Sequence, residues 1–200
     1  MASLRNTSIA VLGDAARLAI RTERACDIAK REALLDACFG ANRQQRTCQR
    51  LRDGRAPAEG LSFSAVSGAR LIGTVRLWHV NAGGVPALVL GPLAVDPSCR
   101  GLGIGAALVR HALTGASARE HGAVILLGDA SYYGRFGFSA LRTAELTLPG
   151  HFEHDRLLGL ELREGALDGA WGMIVPTGKA AAQGKPQRTP RTRKLAPVTA

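Results

Sequence analysis

Arg100-Gly101-Leu102-Gly103-Ile104-Gly105-Ala106 sets glycines at three alternate positions, between a strand-like run and a run with helical spacing. Glycine leaves the backbone bare, so several N–H groups stand unshielded at a helix N-terminus, where the helix dipole is positive. Such donors converge on a phosphate or pyrophosphate, and Arg100 adds a fixed charge. Two ligand families fit these glycines. Gly101-x-Gly103-x-x-Ala106 satisfies the dinucleotide fingerprint G-x-G-x-x-G/A, with Asp129 about 20 residues further on. That fingerprint should follow its strand almost directly, whereas Asp96 to Arg100 intervenes here. It also lies mid-chain after an antiparallel hairpin, with no second series of βαβ units. The dinucleotide reading therefore loses.

Working outward, Ala87 to Val95 is a clear strand, and Pro92 inside it marks either an edge or a bulge. Asn81-Ala82-Gly83-Gly84 before it is a hairpin-type connection. Arg70 to Val80 and Leu61 to Val66 alternate as two earlier strands, and Arg17 to Arg21 is a short first one. Between them, Ala25 to Phe39 suits a helix facing the core through Ile28, Leu35 and Phe39, and Gln44 to Leu51 a polar, basic second helix. After the glycines, a helix runs from about Ile104 to Glu120 with positions 104, 107, 108, 111 and 112 on one apolar face. Ala123 to Leu127 is short and wholly apolar, as a central strand covered on both faces should be.

Arg100-x-x-Gly103-x-Gly105 matches the Q/R-x-x-G-x-G/A signature of the GNAT acetyltransferase superfamily, which binds the pyrophosphate of acetyl-CoA. Leu93-Ala94-Val95-Asp96-Pro97 resembles the strand and turn before that signature, and Tyr133-Gly134-Arg135-Phe136-Gly137-Phe138 resembles the family's Y-x-x-x-G-F segment. The resemblance covers residues 15 to 176 and is strongest over 87 to 138. It implies an α/β domain of α+β type: a twisted, mixed, mostly antiparallel sheet of six or seven strands flanked by helices. It places an N-terminal extension at 1–15 and the acetyltransferase domain at 16–178, followed by a basic tail.

What the resemblance implies chemically is direct transfer of acetyl from acetyl-CoA, as co-substrate, to a primary amine of a small molecule or protein in a ternary complex. The pyrophosphate would lie on Arg100, Gly101, Leu102, Gly103, Gly105 and Ala106. The pantetheine arm would lie between strands Ala87 to Val95 and Ala123 to Leu127, bonded to backbone at Leu93 and Val95. Tyr133 matches the family's tyrosine acid, and a phenol with a pKa of about 10 is protonated at neutral pH. Tyr132 is the backup, with packing as its other role. Ala87 to Val95 holds no carboxylate to serve as base. Asp129 and His79 are substitutes acting through water, or else a cap and a strand-end residue. The acceptor would be chosen by residues 26 to 53 and 141 to 171. There Arg43, Arg46, Arg50 and Arg52 offer an anion site for the acceptor or for the 3′-phosphate of CoA, or simply a solvated basic face. Trp171 and Phe152 either border the acceptor or pack a core.

Composition bounds the remaining choices. The chain has 200 residues, 46% hydrophobic and 21% charged, which describes a globular domain. No apolar run approaches the roughly 20 residues of a membrane span, and Met1 to Ala10 lacks a signal-like core, so a cytoplasmic protein is expected. Cys26, Cys38, Cys48 and Cys99 form no CxxC pair, so they read as small, mostly buried thiols. His151 and His154 lack further ligands, and no metal is expected. Six basic residues and no acidic one lie from Lys179 onward, so removing them from the net charge of +10 leaves +4. Residues 179–200 are too poor in large apolar groups to offset ordering entropy and read as disordered. Nucleic acid could be touched only through that tail, by nonspecific electrostatics. A non-catalytic acyl-CoA sensor of the same fold is the alternative to an enzyme, and a homodimer is possible for either.

Overall fold

The computed structural model describes residues 18–181. The expected N-terminal extension, Arg17 and the tail from 182 onward lie outside the described residues. Strand β1 (Leu18–Thr22) leads through a 3-10 turn into helix α1 (Ile28–Phe39). Strands β2 (Ser62–Ser67), β3 (Arg70–Ala82) and β4 (Val85–Val95) form an antiparallel meander. Helix α2 (Ile104–Ser117) then crosses to β5 (Ala123–Leu127), followed by the short helix α3 (Ala130–Tyr133) and β6 (Leu146–Thr147), β7 (Leu157–Glu161) and β8 (Gly172–Pro176). One eight-stranded sheet results, ordered β1-β2-β3-β4-β5-β7, with β8 pairing β3 and β6. It exceeds the expected six or seven strands by the two-residue β6, too short to show a periodic pattern. Most pairs are antiparallel; β4–β5 and β6–β8 are parallel.

The sheet is covered on both faces. One face sets Val75, Leu77, Leu88, Leu90 and Val124 against Ile104, Leu108, Ala112 and Ala116 of α2. The other sets Trp78, Val80, Val89 and Ile125 against Leu51, Leu146, Leu167 and Ile174. This double coverage explains why β5 is apolar throughout, since neither side of the strand meets water. The β3–β4 hairpin closes on Gly83 and Gly84, with φ of 58° and 101°. Positive φ at both loop residues matches the twist of the flanking strands, a conformation glycine reaches without steric cost.

Pro92 lies not on an edge but in a bulge of a central strand. The register jumps from Val75↔Leu93 to Leu77↔Leu90, so Gly91 and Pro92 together oppose Arg76. A proline without an N–H is tolerated there because the bulge interrupts the ladder.

Helix α1 buries Leu35 and packs Phe39 against the same cluster as expected, but Ile28 faces outward. Ile28 is 48% exposed, whereas Leu34, Leu35 and Arg31 are buried. Arg31 is held under the helix by Glu23 and Glu32, and Glu32 also binds Arg43. In the first turns the ion network thus places Arg31, not Ile28, on the buried side. The expected basic helix is instead two 3-10 segments, Ala41–Gln45 and Thr47–Leu51. Helix α2 stops at Ser117, short of Glu120. Cys26 is exposed, unlike the half-buried Cys38, Cys48 and Cys99. Lys179 and Ala181 bond to the backbone of Ala56 and Gly54 at 2.8 and 2.9 Å, so the first residues of the expected tail run along that segment.

A second buried charge fastens β1 to the sheet. Asp27 accepts from Arg21 at 2.6 Å, from the Arg24 N–H at 2.8 Å and from Ser64 at 3.3 Å. Chiefly the Arg21 hydrogen bond pulls its carboxyl down to about 2. A carboxyl held below its unfolded value stabilises the fold above that value and loses the contribution as pH falls through the folded one. Asp27→Asn is therefore expected to cost about 1–3 kcal/mol at pH 7. Its deficit should shrink between about pH 4 and pH 2, where wild-type Asp27 takes up its proton. Denaturant titrations at pH 7 and pH 3 check this; a gap independent of pH would free Asp27 of any part in acid sensitivity.

Candidate functional site

Strands β4 and β5 pair only at Leu88↔Val124 and Val89↔Ile125, and then diverge. Along the diverging part, the Asp96 N–H donates to the Ile72 carbonyl at 2.9 Å. In an antiparallel ladder bonded and non-bonded pairs alternate. Leu93 and Val95, facing Val75 and Gly73, are thus non-bonded pairs whose N–H and C=O point away from β3 toward the opening. The Val95 carbonyl accepts from the Cys38 thiol at 3.4 Å.

The glycine stretch ends this edge. Gly103 caps α2 with φ 76°, and Gly101 before it has φ 81°. The first α2 bond runs from Ala107 N–H to the Gly103 carbonyl at 2.9 Å. Among the described residues, the N–H groups of 101 to 106 have no acceptor. Arg100, Gly101 and Leu102 are exposed beside them. A Cβ on Gly105 would come within 2.9 Å of the Tyr132 hydroxyl. Tyr132 therefore packs over the start of α2, with Arg135 stacked 4.2 Å from its ring.

Tyr133 faces the other way, into a cleft of about 260 Å³ where the strands part. Asp129 caps α3 by accepting from the Ser131 N–H at 2.8 Å, and that turn carries Tyr133 under β5. Burial pushes the Tyr133 phenol up to about 12, so it stays protonated and can donate. Its ring packs on Phe138 and Tyr132. Gly128 makes that placement possible, because a Cβ there would lie 2.4 Å from the Tyr133 ring.

The other walls of the cleft are Leu90 to Leu93 of the bulged strand, Leu35 and Phe39 of α1, and the 3-10 segments after it. Arg43, Arg46, Arg52 and Arg156 line it, and no carboxylate among the described residues does. Burial lowers the Arg52 guanidinium from its usual value and raises the Cys48 thiol. Arg50, expected with the other arginines, instead donates to the Pro149 carbonyl at 2.7 Å.

Several expected residues lie elsewhere. His79 stacks on His121 in a separate cleft beside Glu120 and Arg163, at the opposite end of the β4–β5 pairing. Asp129 is exposed and committed to its cap. Neither lines the site. Trp171 is 74% exposed beside a shallow cleft between Leu141 and Asp168, and Phe152 packs against His154. No cluster of potential metal ligands occurs among the described residues. None of their helices is long and apolar enough to cross a membrane.

Residues 28–138, over half the chain, match the family model described as Acetyltransferase (GNAT) family. The chain belongs to the GNAT acetyltransferase family. The uncharacterized N-acetyltransferase YhbS of Escherichia coli (strain K12) is 29% identical over 157 residues, covering 78% of this chain and 93% of its own. The crystal structure of the E. coli GNAT family N-acetyltransferase YhbS in complex with CoA is similar, with TM-score 0.69 and 28% identity over 84% of this chain and 94% of that one. A GNAT family acetyltransferase from Brucella melitensis in complex with acetyl-CoA gives TM-score 0.56 at 26% identity, over 82% and 95% of the two chains. The mixed, mostly antiparallel sheet expected of a GNAT domain is thus the observed one.

Sequence reasoning missed Gly128, Cys48, Leu127 and Arg156. A glycine directly before a helix-capping aspartate is the one signal that could have drawn attention to Gly128. Arg156 is distant in sequence from every other wall of the cleft and gave none.

Proposed function

We propose that this GNAT domain transfers the acetyl group of acetyl-CoA to a primary amine by direct attack in a ternary complex. One observation carries the reading: the free edge at Leu93 and Val95, the unbonded N–H groups of 101 to 106 and the Tyr133 cleft all open on the same β4–β5 divergence. The CoA and acetyl-CoA complexes of the two relatives support it. In this reading Arg100, Gly101, Leu102, Gly103, Gly105 and Ala106 receive the pyrophosphate, and the edge of β4 receives the pantetheine amides.

The neutral amine attacks the thioester carbonyl; the C–N bond forms, the C–S bond breaks, the nitrogen gives its second proton to water, and the CoA thiolate takes a proton from Tyr133, whose phenolate regains one from water. The nitrogen must first lose a proton, and no carboxylate lines the cleft to take it. Water then suffices as the proton acceptor. The same missing carboxylate favours a second reading, a domain that binds acyl-CoA as a sensor without turnover.

Release of CoA with a panel of primary amines separates the two, because a sensor releases none. For an enzyme, kcat/KM is expected to rise with pH as the amine deprotonates and to show no alkaline fall below about pH 11, because Tyr133 holds its proton to about 12. Tyr133→Phe should lower kcat about tenfold, less than the roughly hundredfold or more usual for general-acid catalysis, because a thiolate leaves readily. An alkaline limb near pH 10 that vanishes in Tyr133→Phe would contradict the buried, protonated phenol.

A further inference from the structure

We infer that the amine acceptor carries a carboxylate or phosphate, received by the guanidinium groups of Arg52 and Arg46 in the cleft beside the β4 bulge. The inference rests on the acetyltransferase reading and adds the chemical class of the acceptor.

The four arginines of the cleft are not equivalent. Arg43 is neutralised by Glu32 and by Asp36 at 2.6 Å. Arg156 is exposed and has Glu153 at 3.8 Å. Arg46 has no carboxylate among the described residues and lies 4.9 Å over the Phe39 ring. Arg52 makes no ion pair among the described residues; the adjacent Asp53, bonded to Gln49 at 2.6 Å, acts on it only at longer range. Its Nε donates to the Cys48 carbonyl at 3.1 Å, and its Nη1 comes within 3.6 Å of where a Cβ of Gly91 would stand. The fork of Arg52 therefore points at the bulge with no carboxylate in ion-pair reach among the described residues. Behind it, Arg76 opposes the bulge, 5.0 Å over the Trp78 ring, and its buried Nε finds no partner.

A half-buried guanidinium without a counterion costs desolvation energy, and neighbouring cations add repulsion. A fold that keeps such a group at the wall of a cleft gains from an incoming anion what a surface arginine would not. Arg also presents a planar fork that meets carboxylate or phosphate with two parallel bonds. At about 260 Å³ the cleft falls below the roughly 300–1,000 Å³ of drug-sized ligand sites. That size suits a small anionic amine.

The test uses matched acceptors: an amino acid and its amide, and an amino alcohol and its phosphate ester. CoA release is followed in wild type, Arg52→Gln and Arg52→Lys, with acetyl-CoA affinity measured separately by calorimetry. The wild type should favour the anionic member of a pair at least about tenfold in kcat/KM. Arg52→Gln should erase that preference through KM, while Arg52→Lys keeps part of it and guards against a folding defect. Acetyl-CoA affinity should move less than about twofold. Equal use of the neutral members, or a preference that survives Arg52→Gln, overturns the inference. So does lost acetyl-CoA affinity in Arg52→Gln, which would give the arginine to a phosphate of CoA itself. Wild type that fails to bind acetyl-CoA sinks the acetyltransferase reading alone. Anion capture is then read from stabilisation by inorganic phosphate, which Arg52→Gln should lose; equal stabilisation of both proteins would overturn it.

Discussion

Replacing Gly103 by glutamate is expected to weaken acetyl-CoA binding at least about a hundredfold, which is about 2.7 kcal/mol. Gly103 is the N-cap of α2 with φ 76°, and an added Cβ would meet nothing within 4 Å. Space is therefore not what a side chain disturbs. A left-handed backbone costs any L-residue roughly 1–2 kcal/mol, and Gly103→Ala suffers this equally. The two variants share the backbone cost, and the longer side chain of glutamate sets an anion beside the N–H groups of 101 to 106. It both repels the pyrophosphate and competes for its donors. Calorimetric titration of both variants, with thermal midpoints alongside, isolates the charge. Alanine should cost stability yet retain most of the affinity, and glutamate should lose the affinity at similar stability. Binding by Gly103→Glu within about threefold of wild type would move the pyrophosphate away from this terminus. Loss of binding in Gly103→Ala to the same degree would make the backbone turn, not the charge, the determinant.

The parts of this fold that were legible share one property: their local pattern and their tertiary role agree. The meander β2–β4 alternates in sequence because each strand has two distinct faces, and β5 is uniformly apolar because both its faces are covered. The glycine stretch was legible as the start of α2 because Gly101 and Gly103 take positive φ there, which glycine reaches without steric cost. Helix α1 was read correctly at Leu35 and Phe39 but not at Ile28, whose turn buries Arg31 instead through ion pairs with Glu23 and Glu32, a force that hydrophobic periodicity does not register. The arginine cleft was legible only in part. Arg43, Arg46 and Arg52 stand close in sequence, yet two 3-10 segments instead of one helix decide that they turn inward while Arg50 ties down the Pro149 loop. Arg156 and Tyr133 join them only through the β5–β7 pairing, with Gly128 N–H donating to the Arg156 carbonyl at 2.8 Å. Long-range pairing of this kind leaves no mark on a local stretch of sequence.

That same junction yields the second large effect. Gly128→Val is expected to lower kcat at least about tenfold, the size assigned to loss of the Tyr133 acid, while leaving acetyl-CoA affinity within about twofold. A Cβ on residue 128 would stand 2.4 and 2.7 Å from Tyr133 ring carbons and 2.9 Å from Leu126 Cδ1. Leu126 is buried in the core, and Phe136, Phe138 and Tyr132 surround the Tyr133 ring. The ring therefore has to move, and its hydroxyl leaves the point from which it can reach the departing sulfur. A displacement of about 1 Å in a reacting group suffices for a large loss in rate. The N–H groups of 101 to 106, the proposed pyrophosphate donors, lie on the other side of Tyr132 and should keep their places, so affinity is expected to separate from turnover. Tyr133→Ala provides the decisive background, because it removes the ring that the new side chain would strike. Residues coupled through one contact are non-additive, so Gly128→Val should cost less than about twofold more in Tyr133→Ala. A full, independent tenfold loss there would mean that Gly128 acts through Leu126 and the core, and that Tyr133 is not held in place by this contact.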